Sequence, residues 1–306
     1  MESLKTVKLR INSIKSTKQI TQSMRTVSTI KAKKIRLRMN QNLAFLKESK
    51  GLADAAAKSL DGTVHHYTSG HKKNDDSSLP AAVIVIGSDR GLCGGYNINI
   101  GKKLSELVKM RGDCKIITIG TKIKDYCRIR YNDMIAEQYS GISENPLYDD
   151  AAQIAAIVLE MYNKQEIDEI YIIRTRFESM LSQKAEVIKL LPHNSQAGVV
   201  ISDDAADSSK TAAVKQEESG VRSVASFEPA GEKLLETAIP FYITAYIFGA
   251  ILESSLCEQS SRVAGMDAAV KNAEEMIERL TTLYNLVRQG AITQEIIEIV
   301  NGADAV

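Results

Sequence analysis

The sequence has little of the material from which thick globular cores are built. It contains no tryptophan and only five phenylalanines among 306 residues. Glycine is absent from residues 1–50, and the first of the five prolines is Pro80. Glycine and proline are the residues that most often interrupt helices. Their absence predicts that the chain opens with one uninterrupted helix, and slender helix pairs need few bulky side chains.

Cysteines and long apolar runs are also sparse. The four cysteines have no metal or redox spacing, so we expect free thiols in a reducing compartment and no cofactor. The longest uncharged run, residues 237–252, has sixteen residues and falls short of the roughly 18 that a membrane span needs. We expect this run to be the buried start of a helix. We also expect no signal peptide at the amino terminus.

The two ends of the chain carry opposite charge. Residues 1–50 hold thirteen basic and two acidic side chains, whereas residues 221–306 hold six basic and twelve acidic ones. The first helix is predicted over residues 1–58, with apolar residues in steps of three and four. A lone helix of that length is not stable in water, so it needs a partner along its length.

A carboxy-terminal helix, predicted from Gly231 to the end of the chain, supplies that partner. Its seam comprises Val263, Met266, Val270, Ala273, Ile277, Leu280, Tyr284, Val287 and Ala291. Such a seam predicts a left-handed coiled coil, and antiparallel pairing of the two ends is the simplest closure. Beyond Ala291, apolar residues cover much of the helix surface, and a tip of that kind must sit inside something.

The middle of the chain alternates strands and helices. The predicted strands are residues 81–86, 114–119, 169–175 and 185–191, and the predicted helices are 95–110, 122–130 and 149–165. This alternation predicts an inserted, mostly parallel, Rossmann-like α/β domain. The predicted fold is α/β plus a long coiled coil. The predicted units are a helix (1–60), an α/β domain (61–193), a linker (194–229) and a second helix (230–306).

The segment GSDRGLCGGYN, residues 87–97, follows a strand and opens a helix, a place where backbone N–H groups attract phosphates. It has neither the ending of a P-loop nor GxGxxG spacing, so a tight packing turn is favoured over a nucleotide site. Cys93 is a candidate nucleophile, but no histidine is tied to it. His65, His66 and His71 are expected in a solvated loop rather than in a metal site.

The basic run KAKKIRLR, residues 31–38, leaves three interpretations open. It suits a nucleic-acid patch, a solvated helix face or a surface that docks on an acidic protein. No aromatic residue is interleaved for base stacking, and charge alone does not choose between the three.

Three separate blocks are similar to one known family. Residues 87–97 resemble the central signature of the γ subunit of bacterial F-type ATP synthases, and residues 11–27, with Ile-Thr-x-x-Met at 20–24, resemble its opening. The carboxy-terminal block comprises EQ at 258–259, Arg262, YN at 284–285, RQ at 288–289, ITQE at 292–295 and EIVNGA at 298–303. Arg25, after Met24, stands where the family usually has an acidic residue.

The resemblance implies a rotor shaft without a catalytic site of its own. Its coiled coil would stand in a hexamer of alternating catalytic and non-catalytic subunits (β and α), and its foot would dock with the ε subunit on the membrane c-ring. Ion flow would turn the shaft and drive the catalytic subunits through their conformational cycle of ATP synthesis and hydrolysis. The expected location is the cytoplasmic face of the cell membrane, peripheral and attached only through the complex, with no nucleic acid as partner.

The resemblance also carries over individual residues as hexamer contacts. Met24 matches the coupling contact, and Lys31, Lys33 and Lys34 match a basic cluster that faces an acidic loop of the catalytic subunit. Arg262, Gln289 and Thr293 match polar contacts of the last helix. Ile296, Ile297 and Val300 would run in a hydrophobic bearing. The alternatives are a coiled-coil protein that binds nucleic acid and a nucleotide-binding enzyme that uses residues 87–97.

Overall fold

The computed structural model of the chain describes residues 4–59, 65–71, 79–193 and 231–303. In chain order the elements are α1 (Leu4–Lys58), α2 (His66–Ser69), β1 (Ala81–Ile86), α3 (Tyr96–Arg111), β2 (Cys114–Ile119), α4 (Thr121–Arg130), β3 (Ile135–Tyr139), α5 (Tyr148–Asn163), β4 (Glu169–Phe177), β5 (Gln183–Leu191) and α6 (Glu232–Ala303). The linker predicted over residues 194–229 lies outside the described residues.

The terminal helices α1 and α6, of 55 and 72 residues, form an antiparallel pair. Lys18 bonds to Glu274 at 2.8 Å, and Arg25 bonds to Asp267 at 2.7 Å. Each step forward along α1 is therefore a step backward along α6, as predicted. Arg25, the departure from the family pattern, here joins the two helices across the seam.

Apolar and small side chains line the contact between the two helices. Val7 and Ile11 on α1 are buried, as are Met266 and Val270 on α6. All nine predicted seam positions of α6 are buried or half-buried, while most of their neighbours are exposed. On α1 the seam includes the small residue Ser28, which is only 4% exposed. Small residues let the two backbones approach closely and keep the pair thin.

The uncharged run at residues 237–252 lies inside the fold. α6 holds an 18-residue window that is apolar enough to cross a membrane by length and composition, and 61% of that window is buried. Tyr242, Ile243 and Tyr246 belong to the main core, together with residues of β1, β4 and α5. Such burial is typical of a core helix, and it agrees with the expected buried helix start. The helix continues through Pro240, as predicted.

The α/β domain has a five-stranded sheet in the order β3-β2-β1-β4-β5, parallel except for β5. β1 is buried at all six positions, as its apolar run predicts. The chain builds outward from β1 to β3 and then returns through α5 to β4 on the other side of β1. The strand order therefore reverses between β1 and β4, and loops at that point form the crevice where open α/β sheets bind ligands.

Two local predictions are corrected. β3 was not predicted, because its sequence IAEQY has no apolar run and its three middle residues are exposed at the sheet edge. The described part of the loop expected around the histidines contains the short helix α2. There His65 and Tyr67 are each only 3% exposed. The phenol ring of Tyr67 stacks on Tyr162, and its hydroxyl donates to Oδ1 of Asn163 at 3.0 Å.

The end of β1 gives a test of this packing. A Cβ placed on Gly87 would lie 2.4 Å from Cβ of Ile123 on α4, whereas one on Gly91 would meet nothing within 4 Å. Gly87→Ala should therefore lower the free energy of unfolding by about 1–3 kcal/mol through overpacking. The matched control Gly91→Ala should change it by less than about 0.5 kcal/mol. Urea unfolding of both variants measures the difference, and equal effects would contradict the packing described here.

Candidate functional site

The crevice between β1 and β4 is filled by the chain's own last helix. Oγ of Ser261 on α6 donates to the carbonyl of Cys93 at 2.7 Å. The guanidinium of Arg262 donates to the carbonyls of Arg90 and Gly91 at 3.2 Å. α6 thus lies where a nucleotide would lie in a ligand-binding fold of this type. The glycine-rich loop at residues 87–97 is consequently a seat for α6.

Asp89 ties this loop to the two neighbouring turns of the sheet. Its Oδ1 accepts hydrogen bonds from the backbone N–H groups of Thr121 and Gly141 at 3.1 and 2.9 Å. Its Oδ2 accepts from the N–H of Ser143 at 3.2 Å and from the hydroxyl at 2.6 Å. Burial raises the pKa of the Asp89 carboxyl, but the hydrogen bonds from Gly141, Ser143 and Thr121 outweigh it and leave the pKa below its usual value.

Cys93 has the surroundings of a structural thiol. It is 2% exposed, and Nδ2 of Asn97 donates to its Sγ at 3.4 Å. Burial raises the pKa of this thiol, which disfavours the nucleophilic thiolate. The described histidines bond elsewhere: His193 Nε2 lies 2.9 Å from Oδ1 of Asp54, and His71 Nε2 lies 2.9 Å from the carbonyl of Tyr162.

The four cysteines are free and buried. Within the described part of the chain, no group of three or more His, Cys, Asp or Glu side chains is placed to hold a metal ion.

An apolar groove runs between the middle of α1 and the loop at residues 87–97. It has a volume of about 510 Å³ and is lined by Gln19, Ile20, Ser23, Met24, Val27, Ser28, Lys31, Arg90, Gly91, Leu92, Glu144, Gln259 and Arg262. Met24 is 43% exposed in its wall, and Leu92 projects from the loop with 65% exposure. Lys31 is half-buried at its rim. Exposed apolar side chains gathered around such a groove indicate a surface that contacts a partner.

The structure brings Met24, Lys31 and Arg262 together at this groove, although Arg262 is itself only 9% exposed. Its guanidinium also bonds to Glu258 at 2.7 Å, so this residue holds the loop as well as lining the groove. Lys33 and Lys34 are exposed on the side of α1 that faces away from α6. They do not line the groove.

The remaining predicted contacts lie at the far end of α6. The step of seven residues from Lys18 to Arg25 on α1 matches the step from Glu274 back to Asp267 on α6. The same register places Leu4, the first described residue, opposite Arg288. Residues 289–303 of α6 thus extend past the described part of α1 by about 22 Å.

This projecting segment, here called the tip, has an exposed surface that is both apolar and polar. Ile296, Ile297 and Val300 are 55%, 47% and 52% exposed. Gln289 and Thr293 are exposed as well, and the threonine hydroxyl bonds to the Gln289 carbonyl at 2.9 Å. Thr293 lies about 46 Å along the helix from Arg262. The predicted contacts therefore form two separate surfaces, the groove and the tip.

Sequence reasoning missed Asp89 and the buried serines of α6 as organising residues. Ser254 and Ser255 are each 1% exposed, and Ser261 bonds to the glycine loop. The available signal was the polar stretch ESSLCEQSSR, which directly follows the uncharged run at residues 237–252 on the same buried helix. A polar stretch on a buried helix requires bonding partners.

The contacts of Asp89 predict how stability depends on pH. Since its pKa is lowered in the folded chain, its contribution is present above the unfolded pKa of about 3.9 and is lost as the pH falls through the folded value. Asp89→Asn should lower the free energy of unfolding at neutral pH by about 1–3 kcal/mol, because an amide cannot accept all these bonds. The gap to the unsubstituted chain should narrow below about pH 4.

Urea unfolding measured from pH 7 down to pH 3 tests this expectation. Asp125→Asn is the control, because Asp125 forms only an exposed pair with Lys122 at 3.8 Å, which is worth little. A pH-independent gap for Asp89→Asn, or an equal loss in the control, would contradict the role given to Asp89.

Comparison with known proteins gives one family along nearly the whole chain. The model of a family described as "ATP synthase" matches residues 3–306. The ATP synthase gamma chain of Heliobacterium modesticaldum is 35% identical over 100% of this chain and 99% of its own length. The sodium ion specific gamma chain of Acetobacterium woodii is 36% identical, with 99% of both chains covered.

Solved structures agree on the fold. A chain of the Euglena gracilis mitochondrial ATP synthase, from a structure of its OSCP, F1 and c-ring, has a TM-score of 0.67 at 21% identity. The match covers 99% of this chain and 94% of that one. With a family match along nearly its whole length and relatives above 30% identity, the chain belongs to the ATP synthase gamma chain family, the family of the non-catalytic rotor subunit of F-type ATP synthases.

Proposed function

We propose that the α1–α6 coiled coil turns inside the central hole of a hexamer of catalytic β and non-catalytic α subunits, with the tip in an apolar bearing. The tip carries this proposal. Five large apolar side chains are exposed on it: Ile292, Ile296, Ile297, Ile299 and Val300. An isolated helix with such a surface is stable only when something surrounds it.

The shaft transmits energy without bond chemistry. Ion flow through the membrane ring turns it, and its asymmetric surface favours a different conformation of each catalytic subunit in turn. A ligand or partner shifts such an equilibrium only through differential contacts with the two states. The groove at one side of the pair supplies that asymmetry, because the exposed apolar side chains of Met24 and Leu92 project there.

The basic charge of α1 suits a partner surface of opposite sign. Lys33 and Lys34 are exposed and face away from α6, so the helix pair leaves them available to an acidic loop of a β subunit. Lys31 and Met24 would meet the same subunit at the groove, and Gln289 and Thr293 would contact the hexamer at the tip. Complementary charge of this kind favours correct orientation more than raw affinity.

The opposite end of the molecule forms the foot. Residues 61–193 would dock with ε on the c-ring, and the coiled-coil units would be residues 1–60 and 230–306, with the linker at 194–229. This arrangement puts the chain at the cytoplasmic face of the cell membrane, attached through the complex. The sodium-specific relative shows that the family includes enzymes coupled to an ion other than the proton.

Neither alternative function explains the same observations. A nucleic-acid-binding coiled coil gives the apolar tip no role. A nucleotide-binding enzyme would need the crevice that α6 fills through Ser261 and Arg262.

Assembly with the large subunits is the direct test. Co-expression of this chain with its α and β subunits should yield a stoichiometric complex whose ATPase activity differs from that of α and β alone. Size-exclusion chromatography with subunit quantification, followed by an ATPase assay, measures both. No complex, or the same activity with and without this chain, would refute the shaft.

The bearing has its own test. Replacing Ile296, Ile297 and Val300 together by Asn should weaken assembly, because three half-exposed apolar side chains would no longer be buried by the hexamer, at about 1.5–3 kcal/mol for each one fully buried. Complex yield at increasing dilution measures the loss. The control Glu295→Gln changes an exposed polar residue of the same segment and should assemble normally. Equal yields for both variants would exclude an apolar bearing.

A further inference from the structure

One ten-residue stretch of α6 is polar where the helix is most deeply buried. Residues 253–262, here called the polar clamp, read ESSLCEQSSR and directly follow the uncharged run at residues 237–252. Ser254, Ser255, Glu258 and Ser260 are each at most 2% exposed. Burying polar groups is unfavourable unless they find hydrogen-bond partners, so the polar clamp needs partners in the elements packed around it.

On one side the polar clamp bonds to the backbone of β4. Oγ of Ser254 accepts from the N–H of Thr175 at 3.3 Å, and Oε1 of Glu253 accepts from the N–H of Phe177 at 2.9 Å. Sγ of Cys257 donates to the carbonyl of Thr175 at 3.4 Å. These bonds attach α6 to the carboxyl end of β4, next to the point where the strand order reverses.

Across the crevice from β4, the polar clamp bonds to the loops that follow β1 and β3. Oγ of Ser255 donates to the carbonyl of Ser143 at 2.9 Å, and Oγ of Ser261 donates to that of Cys93 at 2.7 Å. The hydroxyl of Tyr96 donates in return to the carbonyl of Ser254 at 3.1 Å. Ser254, Cys257 and Ser261 share one face of α6, because they are spaced by three and four residues. Ser255 lies on another face, so α6 is held at three successive turns and on more than one face.

A buried ion network completes the attachment. Arg174 on β4 bonds to Glu253 on α6 and lies 2.8 Å from Glu186 on β5. The guanidinium also lies over the ring of Tyr246 on α6, 5.6 Å from its centre. The edge strand β5 is thus connected to the polar clamp through Arg174.

The type of contact decides which motions are resisted. Apolar contacts are non-directional, so they hold a helix against a sheet but resist rotation about its own axis only weakly. Hydrogen bonds weaken steeply as their angle departs from linear. Residues 237–252 of α6 bring mainly apolar side chains into the core, whereas residues 253–262 bring directional bonds. The polar clamp therefore adds directional bonds to the angle between the helix pair and the α/β domain, beside the bonds that α1 makes through Arg38 and Asp54.

We propose that the polar clamp is the joint through which torque passes between the α/β domain and the coiled coil. Ser254, Ser255 and Ser261 act as positioning residues that hold the angle between the two parts under load. This inference rests on the proposed shaft function. It adds that energy coupling depends on these buried hydroxyls, which bond to the α/β domain and lie well away from the tip.

The test uses the assembled enzyme in lipid vesicles. The triple variant Ser254→Ala, Ser255→Ala and Ser261→Ala loses three hydrogen bonds. Their loss shifts the equilibrium between the angle that the clamp holds and other angles of α6 toward the latter by on the order of a hundredfold. We expect a stoichiometric complex that still hydrolyses ATP. Ion transport per ATP hydrolysed should fall at least about twofold, because part of each rotation of the coiled coil is not passed on to the α/β domain. Parallel ATPase and ion-uptake assays give the ratio.

A matched control removes hydroxyls from the same helix. The Oγ1 atoms of Thr237 and Thr244 bond only to α6 carbonyls, those of Lys233 at 3.2 Å and Pro240 at 2.9 Å. Thr237→Ala with Thr244→Ala should leave the transport ratio unchanged. A triple variant whose ratio equals that of this control overturns the proposal.

The angle can also be observed directly. Ile129 on α4 is 80% exposed, whereas the four native cysteines are buried, so Ile129→Cys offers an accessible attachment point for a probe on the α/β domain. With the hexamer immobilised, the angular variance of that probe should rise at least about twofold in the triple variant and stay unchanged in the control. An unchanged variance in the triple variant also overturns the proposal.

The outcomes separate the joint from the shaft. If the unsubstituted chain forms no complex, the shaft function fails before the joint is tested. If only the triple variant fails to assemble, the single variants Ser255→Ala and Ser261→Ala replace it, each losing one bond. A lowered ratio in these variants supports the joint, and an unchanged ratio in both refutes it.

Discussion

The pairing of α1 with α6 is the interaction on which the rest of the structure depends. A helix of 55 residues has too little intrinsic stability to persist alone in water. α6 gives it a continuous seam of apolar and small side chains, and the ion pairs Lys18–Glu274 and Arg25–Asp267 cross that seam at the same register. Because such exposed pairs contribute little energy, the seam stabilises the shaft while the charges help to set its alignment.

The difference in length between the two helices creates the functional end. Since α6 continues past the register position of Leu4, its last residues have no described stretch of α1 beside them. Their apolar side chains remain exposed, and in the proposed function a surrounding ring buries them. At the level of the groove the seam of α1 contains Ser28, a small and buried residue, and small seam residues suit a slender shaft. One pairing therefore accounts for both a thin rod and an apolar tip.

The amino-terminal half of α6 fills the crevice of the α/β domain. The crevice where the strand order reverses is the common ligand site of open parallel sheets. Here Ser261 and Arg262 of α6 bond to the loop that would hold a phosphate, and Asp89 ties that loop to its neighbours. A fold associated with nucleotide binding thus holds a helix instead, which agrees with a rotor subunit that performs no catalysis.

Much of this was determined by the sequence alone. The two long helices and their seam follow from apolar residues that repeat at the helical spacing, and four of the five strands follow from short apolar runs. The family likewise followed from local blocks of residues. Periodicity did not reveal β3, whose exposed edge position needs no apolar run. It also did not reveal the burial of His65 or the network of Asp89.

Only the tertiary structure decided which polar residues organise the molecule. Asp89, Ser254 and Ser261 have bonding partners far away in the chain, and nothing in their immediate neighbours indicates those partners. Apolar spacing is a local property that a sequence displays, whereas a hydrogen bond depends on the distance and angle between groups that only folding brings together. The rod could therefore be predicted from residue spacing, but its attachment to the α/β domain could not.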